Sequence, residues 1–434
     1  MKFTSLKNRK IEASFSGGSI TSDGGILLLR EVEKKIKLLK EAAKVIPDLR
    51  DPGKITHKIE TMLQQRVLGL ALGYEDLNDH STLRNDIAFQ VGVNSTKELA
   101  SSPTLCRFEN STNRKIAFDI HKVILDKFIE SREEVPDELI LDFDATDDLV
   151  HGNQVGRFFH GYYKNYCFLP LYVFCGRHLL VSYLRPSNKD GAKHVWAILS
   201  LLTKRFRQAW PKVRITFRGD TGFCRHKMFD WCERKDVSYI TGIAGNNRLY
   251  NKLEPFTNKA NEKFLETNEK QRIFADFMYK AGSWSKERRI IGKAEHTSNG
   301  ANPRFIVTNL PGKPQELYDN CYCARGDMEN RIKEQQLDLF ADRTSCHNWW
   351  PNQFRLLLAS LAYSMIEYLR EFALQDTVFA KSQAGTIRLK LFKIGAVIIR
   401  NTRRISFKLS EYYPYQEVFK KIWQLLVPKG LAAT

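Results

Sequence analysis

Two aspartates on one face of a single strand constrain this chain more than any other feature. Along residues 138–144, Leu139, Leu141 and Phe143 alternate with Ile140, Asp142 and Asp144, the period of a strand with two distinct faces. Both carboxylates fall on one face, near the strand's end. A carboxylate on a sheet face is costly unless it is solvated, paired or bound to a cation. The run continues Ala145-Thr146-Asp147-Asp148, so the acids mark either a strand running out into a polar loop or the edge of a site. Acids in loops are common, and this stretch alone does not choose.

Two later stretches bear on the choice. Residues 213–223 form another short β-rich run, ending on Asp220 between Gly219 and Gly222, where glycine permits tight backbone. Residues 322–336 read as helix. Steps of three, four and seven put Tyr322, Arg325, Glu329 and Gln336 on one face. An Asp after a first strand, an Asp after a later strand and a Glu on a distant helix make a set of three carboxylates. Such a set can hold two divalent cations for phosphodiester chemistry.

These stretches resemble the catalytic motifs of the DDE transposases of bacterial insertion sequences. Asp144-Ala145-Thr146 matches the family's first-strand Asp-x-Thr, and Asp220 its second Asp. Tyr322, Arg325 and Glu329 match its Tyr-x-x-Arg-x-x-x-Glu signature. The family carries a Lys seven residues after the Glu. That position here is Gln336, and Lys333, one turn earlier on roughly the same face, is the candidate to replace it. The alternation cannot separate Asp142 from Asp144. Asp144 lies nearer the strand's end and heads the Asp-x-Thr match, so it is the expected first acid. Asp142 is the alternative, or else a neighbour that orients it.

The resemblance, running from about Phe15 to about Leu426, implies an α/β fold. A ribonuclease-H-like catalytic core is interrupted by a β-rich insertion, between a helical N-terminal region and a basic C-terminal appendage. The expected segments are a DNA-binding region at 1–135, the first part of the core at 136–243 and the insertion at 244–312. The second part of the core, with the Glu helix, follows at 313–375 and the appendage at 376–434. The implied function is a transposase that binds the ends of an insertion sequence, cleaves DNA and joins the 3′ ends to target DNA. Asp144, Asp220 and Glu329 would hold two Mg²⁺ ions, for which Mn²⁺ can substitute. Tyr322, Arg325 and Lys333 would contact DNA. Double-stranded DNA is the implied partner, with a dimer assembled on it in a bacterial cytoplasm. The alternatives from other classes are a structure-selective nuclease of the same fold and a catalytically inactive DNA-binding protein.

Composition agrees with a polyanionic partner. Lys plus Arg number 68 against 49 Asp plus Glu, a formal net charge of +19. No apolar run reaches 18 residues, which sets aside a membrane-spanning reading, and residues 1–4 begin no signal peptide. The eight cysteines form no zinc or disulfide pattern, consistent with a reducing compartment.

Read in order, residues 51–130 are helical. Ser102-Pro103-Thr104 starts a helix whose polar side carries Arg107, Asn110, Asn113 and Arg114. That side is a recognition helix or a solvated face; the family resemblance favours the first and makes Arg107 a DNA contact. After Asp144, β-rich runs occupy 167–174 and 178–184, and a helix occupies 193–208. Arg157, Phe158, Phe159, His160, Tyr162 and Tyr163 mix basic and aromatic side chains, as a DNA-stacking surface or an apolar patch does. Strands are expected at 274–280, 288–296 and 304–308, with surface segments at 261–272 and 299–303. Trp284 sits in a turn-like stretch between them. In the family an insertion-domain Trp can stack on an extruded base, which makes Trp284 the candidate for that role. A long apolar helix at 349–374 is expected to pack on the sheet through Leu356, Leu357, Leu361, Met365 and Leu369. Residues 377–410 carry eight Lys or Arg and no acid, and Ile387, Leu389 and Leu391 alternate with Arg388 and Lys390.

Overall fold

The strand that carries the two aspartates lies in the interior of a nine-stranded mixed sheet. We label its principal strands β1 (Glu138–Ala145), β2 (Leu171–Cys175), β3 (His178–Tyr183), β4 (Arg214–Gly219), β5 (Ser238–Ile243), β6 (Gln271–Tyr279), β7 (Arg288–Thr297) and β8 (Arg304–Thr308). Across the sheet the order is β6-β7-β8-β5-β4-β1-β2-β3, and the short strand Gly300–Ala301 pairs with β7. β4 runs parallel to both β1 and β5, whereas β2 and β3 are antiparallel neighbours. Parallel neighbours need a crossover. Helix α1 (Val195–Ala209) precedes β4, and α2 (His226–Arg234) links β4 to β5.

The structure is a computed structural model and describes residues 1–427. The chain divides into two units, one of Leu125–Lys333 with Thr344–Trp349, the other of Met1–Ile124, Glu334–Arg343 and Trp350–Thr434. The nine-stranded sheet belongs entirely to the first of these.

The period-2 pattern sets the faces of the sheet. Leu139, Leu141 and Phe143 of β1 join Ile215 and Phe217 of β4 in a core with Val195, Leu199, Leu202 and Phe206 of α1. The intervening residues, Asp142, Asp144, Thr216 and Arg218, therefore lie on the other face. On that face Ile240, Ile291 and Ile306 pack against Tyr318, Leu317, Cys321 and Tyr322. The segment that leads to Glu329 is thus laid across the face that carries the acids.

The strands between the second Asp and the Glu do not make a sheet of their own. β8 pairs antiparallel with β5 and β7, so β6–β8 extend the main sheet. The segment at 261–272 lies on the surface, as expected, but it is largely regular structure rather than a loop. Most of it closes a helix of 21 residues, α3 (Asn247–Thr267), and it ends on the first residues of β6. Asn246 caps α3 by accepting from the Leu249 N–H at 3.1 Å, and Leu249, Leu253 and Ala260 supply its buried stripe. Pro255 disguises this helix in the sequence. It lies on the exposed side, where a carbonyl that loses its partner can meet water.

The other unit is mainly helical. The helix Trp349–Leu369 is buried on nearly every side from Pro351 onward. Trp350–Leu369, expected to pack with the sheet, belongs to this helical unit and is largely buried within it. Helix Ser102–Asn110 is anchored by Glu109, which is fully buried and held by Arg66 at 2.6 Å and Arg355 at 2.9 Å. Residues 387–391, whose apolar and basic side chains alternate in the sequence, are helical. The Arg388 guanidinium donates to the carbonyls of Leu70, Ala71 and Asp338. Strand Ala396–Arg400 pairs with Ser19–Thr21 and Ile405–Leu409. Of the expected appendage, residues 428–434 lie outside the described residues. No helix among the described residues is long and apolar enough to cross a membrane.

Candidate active site

Three carboxylates from three distant stretches face a shared space in the sheet-bearing unit. Asp144 is the penultimate residue of β1 and is opposite Tyr172 of β2. The Ala145 N–H donates to its Oδ1 at 2.9 Å. Asp220 follows β4 directly, and the Gly222 N–H donates to its Oδ1 at 2.8 Å in a tight turn. Glu329 lies on α4 (Gly326–Lys333). Arg325 joins two of the three: its guanidinium is 3.4 Å from Asp144 Oδ2 and 3.0 Å from Glu329 Oε1.

The electrostatics agree with the geometry. Burial, against the opposing pull of Arg325, raises the Asp144 carboxyl to about 7, and the negative charges of Asp220 and Glu329 push it the same way. Asp144 thus sits where negative charge is under-compensated even with a guanidinium beside it. Arg325 is raised above its ordinary range. Burial alone would lower it, but Asp144, Tyr322, Glu329 and Asp220 outweigh that. As the side chains lie, no three His, Cys, Asp or Glu among the described residues enclose a metal-sized space. The donors nonetheless suit a hard divalent cation, being carboxylate oxygens around a half-buried acid whose negative charge is under-compensated.

Tyr322 also reaches this space. Its hydroxyl lies so close to Gly242 that a Cβ there would come within 2.6 Å of it, and within 2.5 Å of Thr221 Oγ1. The glycine at the end of β5 makes room for the tyrosine beside the Asp220 turn. The segment is not the single regular helix that the spacing suggested. Leu317–Tyr322 is a wide π-type turn, Cys323–Arg325 tightens to 3-10 geometry, and regular helix begins at Gly326. Lys333 is the last residue of α4 and is exposed. Gln336 falls in the helical unit, as does Glu334, which is buried against Arg370.

Asp142 has a different environment. Arg218, directly across from it on β4, grips both carboxylate oxygens, with Nη2–Oδ2 at 2.7 Å. Arg218 Nη1 also donates to the Cys321 carbonyl at 2.5 Å. The buried pair thereby ties the acid-bearing strands to the segment that presents Tyr322, Arg325 and Glu329. Sequence reasoning missed Arg218 and Gly242. The alternation places Arg218 on the face of the acids, and that was the available signal.

The remaining candidates divide. Arg107 is exposed on its helix, within the helical unit. Asn113 and Arg114, expected on that same helix, lie beyond its end; Asn113 accepts from the Ile116 N–H and opens the next one. Trp284 does occupy a turn, but its expected role on an extruded base is corrected. The ring is only 6 % exposed. It packs edge-on against Phe229 and Tyr279, with the Arg288 guanidinium 5.3 Å above it. Three partners hold the ring in the core under the sheet, which leaves no face for a base.

No curated protein matches this chain. Among solved structures it is similar to the piggyBac transposase in the cryo-EM structure of a synaptic complex with hairpin DNA. The identity is 10%, over 86% of this chain and 79% of that one, with a TM-score of 0.44. The family model for the transposase DDE domain, group 1, matches residues 3–430, a span that takes in Asp144, Asp220 and Glu329 alike. With that span matched from end to end, the chain belongs to the group 1 DDE-domain transposases.

Proposed function

We propose that this transposase cuts DNA at the ends of a bacterial insertion sequence and joins the freed 3′ ends to target DNA, using Asp144, Asp220 and Glu329 as its metal-holding acids. The observation that carries the reading is the Arg325 bridge between Asp144 and Glu329, beside an Asp220 whose charge Asp144 feels. Residues 185 positions apart in the chain (329 minus 144) meet at one guanidinium. The strand order β3-β2-β1-β4-β5 supports a ribonuclease-H-like core, with β6–β8 as its insertion.

Two divalent cations, Mg²⁺ or Mn²⁺ in its place, would supply an activated water and stabilise the leaving 3′ oxygen. The chain's own residues prepare that chemistry. Asp144 would hold a cation as the carboxylate, having released the proton that burial favours. The Gly222 N–H fixes the Asp220 carboxylate in its turn, and Arg325 orients Glu329. Arg325 and Tyr322 would meet a backbone phosphate, as the planar fork of an arginine suits either anion. Lys333 and Arg107 are proposed as further DNA contacts, Lys333 beyond the acids and Arg107 from the helical unit. Joining two element ends at once calls for a dimer on DNA.

The test is incubation of the purified full-length protein with DNA carrying its element's ends, with and without Mg²⁺. Metal-dependent nicks followed by joined products are expected. Glu329→Gln should abolish cutting and leave end-binding nearly intact, because its carboxylate serves metal rather than DNA. Cutting without joining would make the protein a nuclease, and DNA binding without any metal-dependent nick would make it an inactive binder.

A further inference from the structure

The ladder between β1 and β2 does not stop at Asp144. It passes Ala145 and the Thr146 N–H, which donates to the Pro170 carbonyl at 3.3 Å, and enters a small sheet of three strands. There Asp148–Leu149 and Phe158–His160 flank Asn165–Phe168. The base of this hairpin is anchored. The Val155 N–H donates to the His347 carbonyl at 2.9 Å, and Phe168 meets Trp349 edge-on with ring centroids 5.3 Å apart. Its outer face and tip are not covered. Tyr162 is 83 % exposed, Phe159 57 % and Tyr166 51 %. Phe159 and Tyr166 are direct cross-strand partners, and the Arg157 guanidinium lies 4.9 Å over the Tyr166 ring. Tyr163, at the same turn, stays near the acids: burial first, then the charges of Asp147 and Asp144, push its hydroxyl up to about 12.

Exposing three large rings together is costly unless something covers them. From His151 to Phe168 there is no acid, while Arg157 and Lys164 add positive charge. Rings interleaved with cations suit a polyanion that offers π-faces. Duplex DNA hides those faces inside its stack. An unpaired strand presents them.

We propose that Phe159, Tyr162 and Tyr166 form a stacking platform for unpaired bases of the DNA strand whose phosphate meets Asp144. This rests on the active-site reading above for the identity of the strand, but not for the binding itself. The hairpin continues the strand that carries Asp144, so bases next to the scissile phosphate fall within its reach.

The test measures binding of the full-length protein, in EDTA, to a fluorescent single strand and to the duplex of the same sequence. Replacing the three rings together (Phe159→Ala, Tyr162→Ala and Tyr166→Ala) should weaken single-strand binding about five- to 150-fold per ring. Duplex affinity and melting temperature should hold, because the rings are exposed. Leucine at the same three positions should lose as much single-strand affinity as alanine, since it keeps apolar area but has no π-face. Unchanged single-strand affinity in the triple variant overturns the proposal. So does a variant that sediments as a smaller species, which would make the face a contact with a second copy of the chain. Because no metal is present, a failure here leaves the acids untouched, and loss of cutting in Glu329→Gln tests them separately.

Discussion

Arg218 holds both carboxylate oxygens of Asp142 from the adjacent parallel strand, and its free arm reaches the Cys321 carbonyl. Two acids two residues apart on one face thus have separate work. Asp142 is consumed by a buried ion pair that sets the sheet against the Glu-bearing segment. Among the described residues, Asp144 is held only by the longer contact to Arg325, at 3.4 Å, and by the Ala145 N–H.

Removing one partner of a buried pair leaves the other charged and uncompensated, at a cost of about 3–5 kcal/mol. Asp142→Ala should therefore lower stability by that order in urea unfolding, while Asp144→Ala should not. Cysteine separates the two by metal. Thiolate binds Mg²⁺ poorly and softer Mn²⁺ better. Asp144→Cys is expected to be inactive in Mg²⁺ and partly restored in Mn²⁺, and Asp142→Cys to show no Mn²⁺-specific rescue. The opposite pattern would move the first catalytic position to Asp142.

Asp144 should make stability depend on pH. Burial raises its carboxyl from the ordinary 3.8 to about 7. Between those values the folded chain keeps a proton that the unfolded chain has released. Stability from this group is therefore full below about 4 and is lost as pH rises toward 7, by at most about 1.4 kcal/mol per pH unit. Asp144→Asn has no charge to bury. In EDTA it should be more stable than the parent at pH 8 and about equal at pH 4, and Mg²⁺ should narrow the gap by binding the folded parent. A less stable asparagine variant at pH 8 would contradict the raised carboxyl.

Trp284→Ala should act through the fold. Emptying a buried Trp site costs about 3–5 kcal/mol. The melting temperature should drop, and binding, nicking and joining should fall together with the folded fraction. A selective loss of one step after nicking, at unchanged stability, would return the ring to a base-stacking role.

DNA affinity should fall steeply with salt, because a chain of formal net charge +19 releases many condensed counterions on binding. Titrations at increasing NaCl would check this, and a flat log–log plot would count against a nucleic-acid partner.

The three candidate acids were legible in the sequence because their signals are local. Period-2 alternation put Asp142 and Asp144 on one face of β1, and the strands expected at 274–280, 288–296 and 304–308 are found at 271–279, 288–297 and 304–308. The spacing of Arg325 and Glu329 set up an i,i+4 ion pair that the fold keeps. What the sequence could not decide was pairing across the sheet. Asp142 and Asp144 are equivalent in pattern, and only the register that sets Arg218 opposite Asp142 makes them different. Trp284 illustrates the same limit. A turn in the sequence suggests exposure, but whether a turn is covered depends on Phe229 and Tyr279, 55 positions before it and five before it. Local periodicity fixes which way a side chain points; what it meets there is set by non-local packing, and that is decided only in the folded chain.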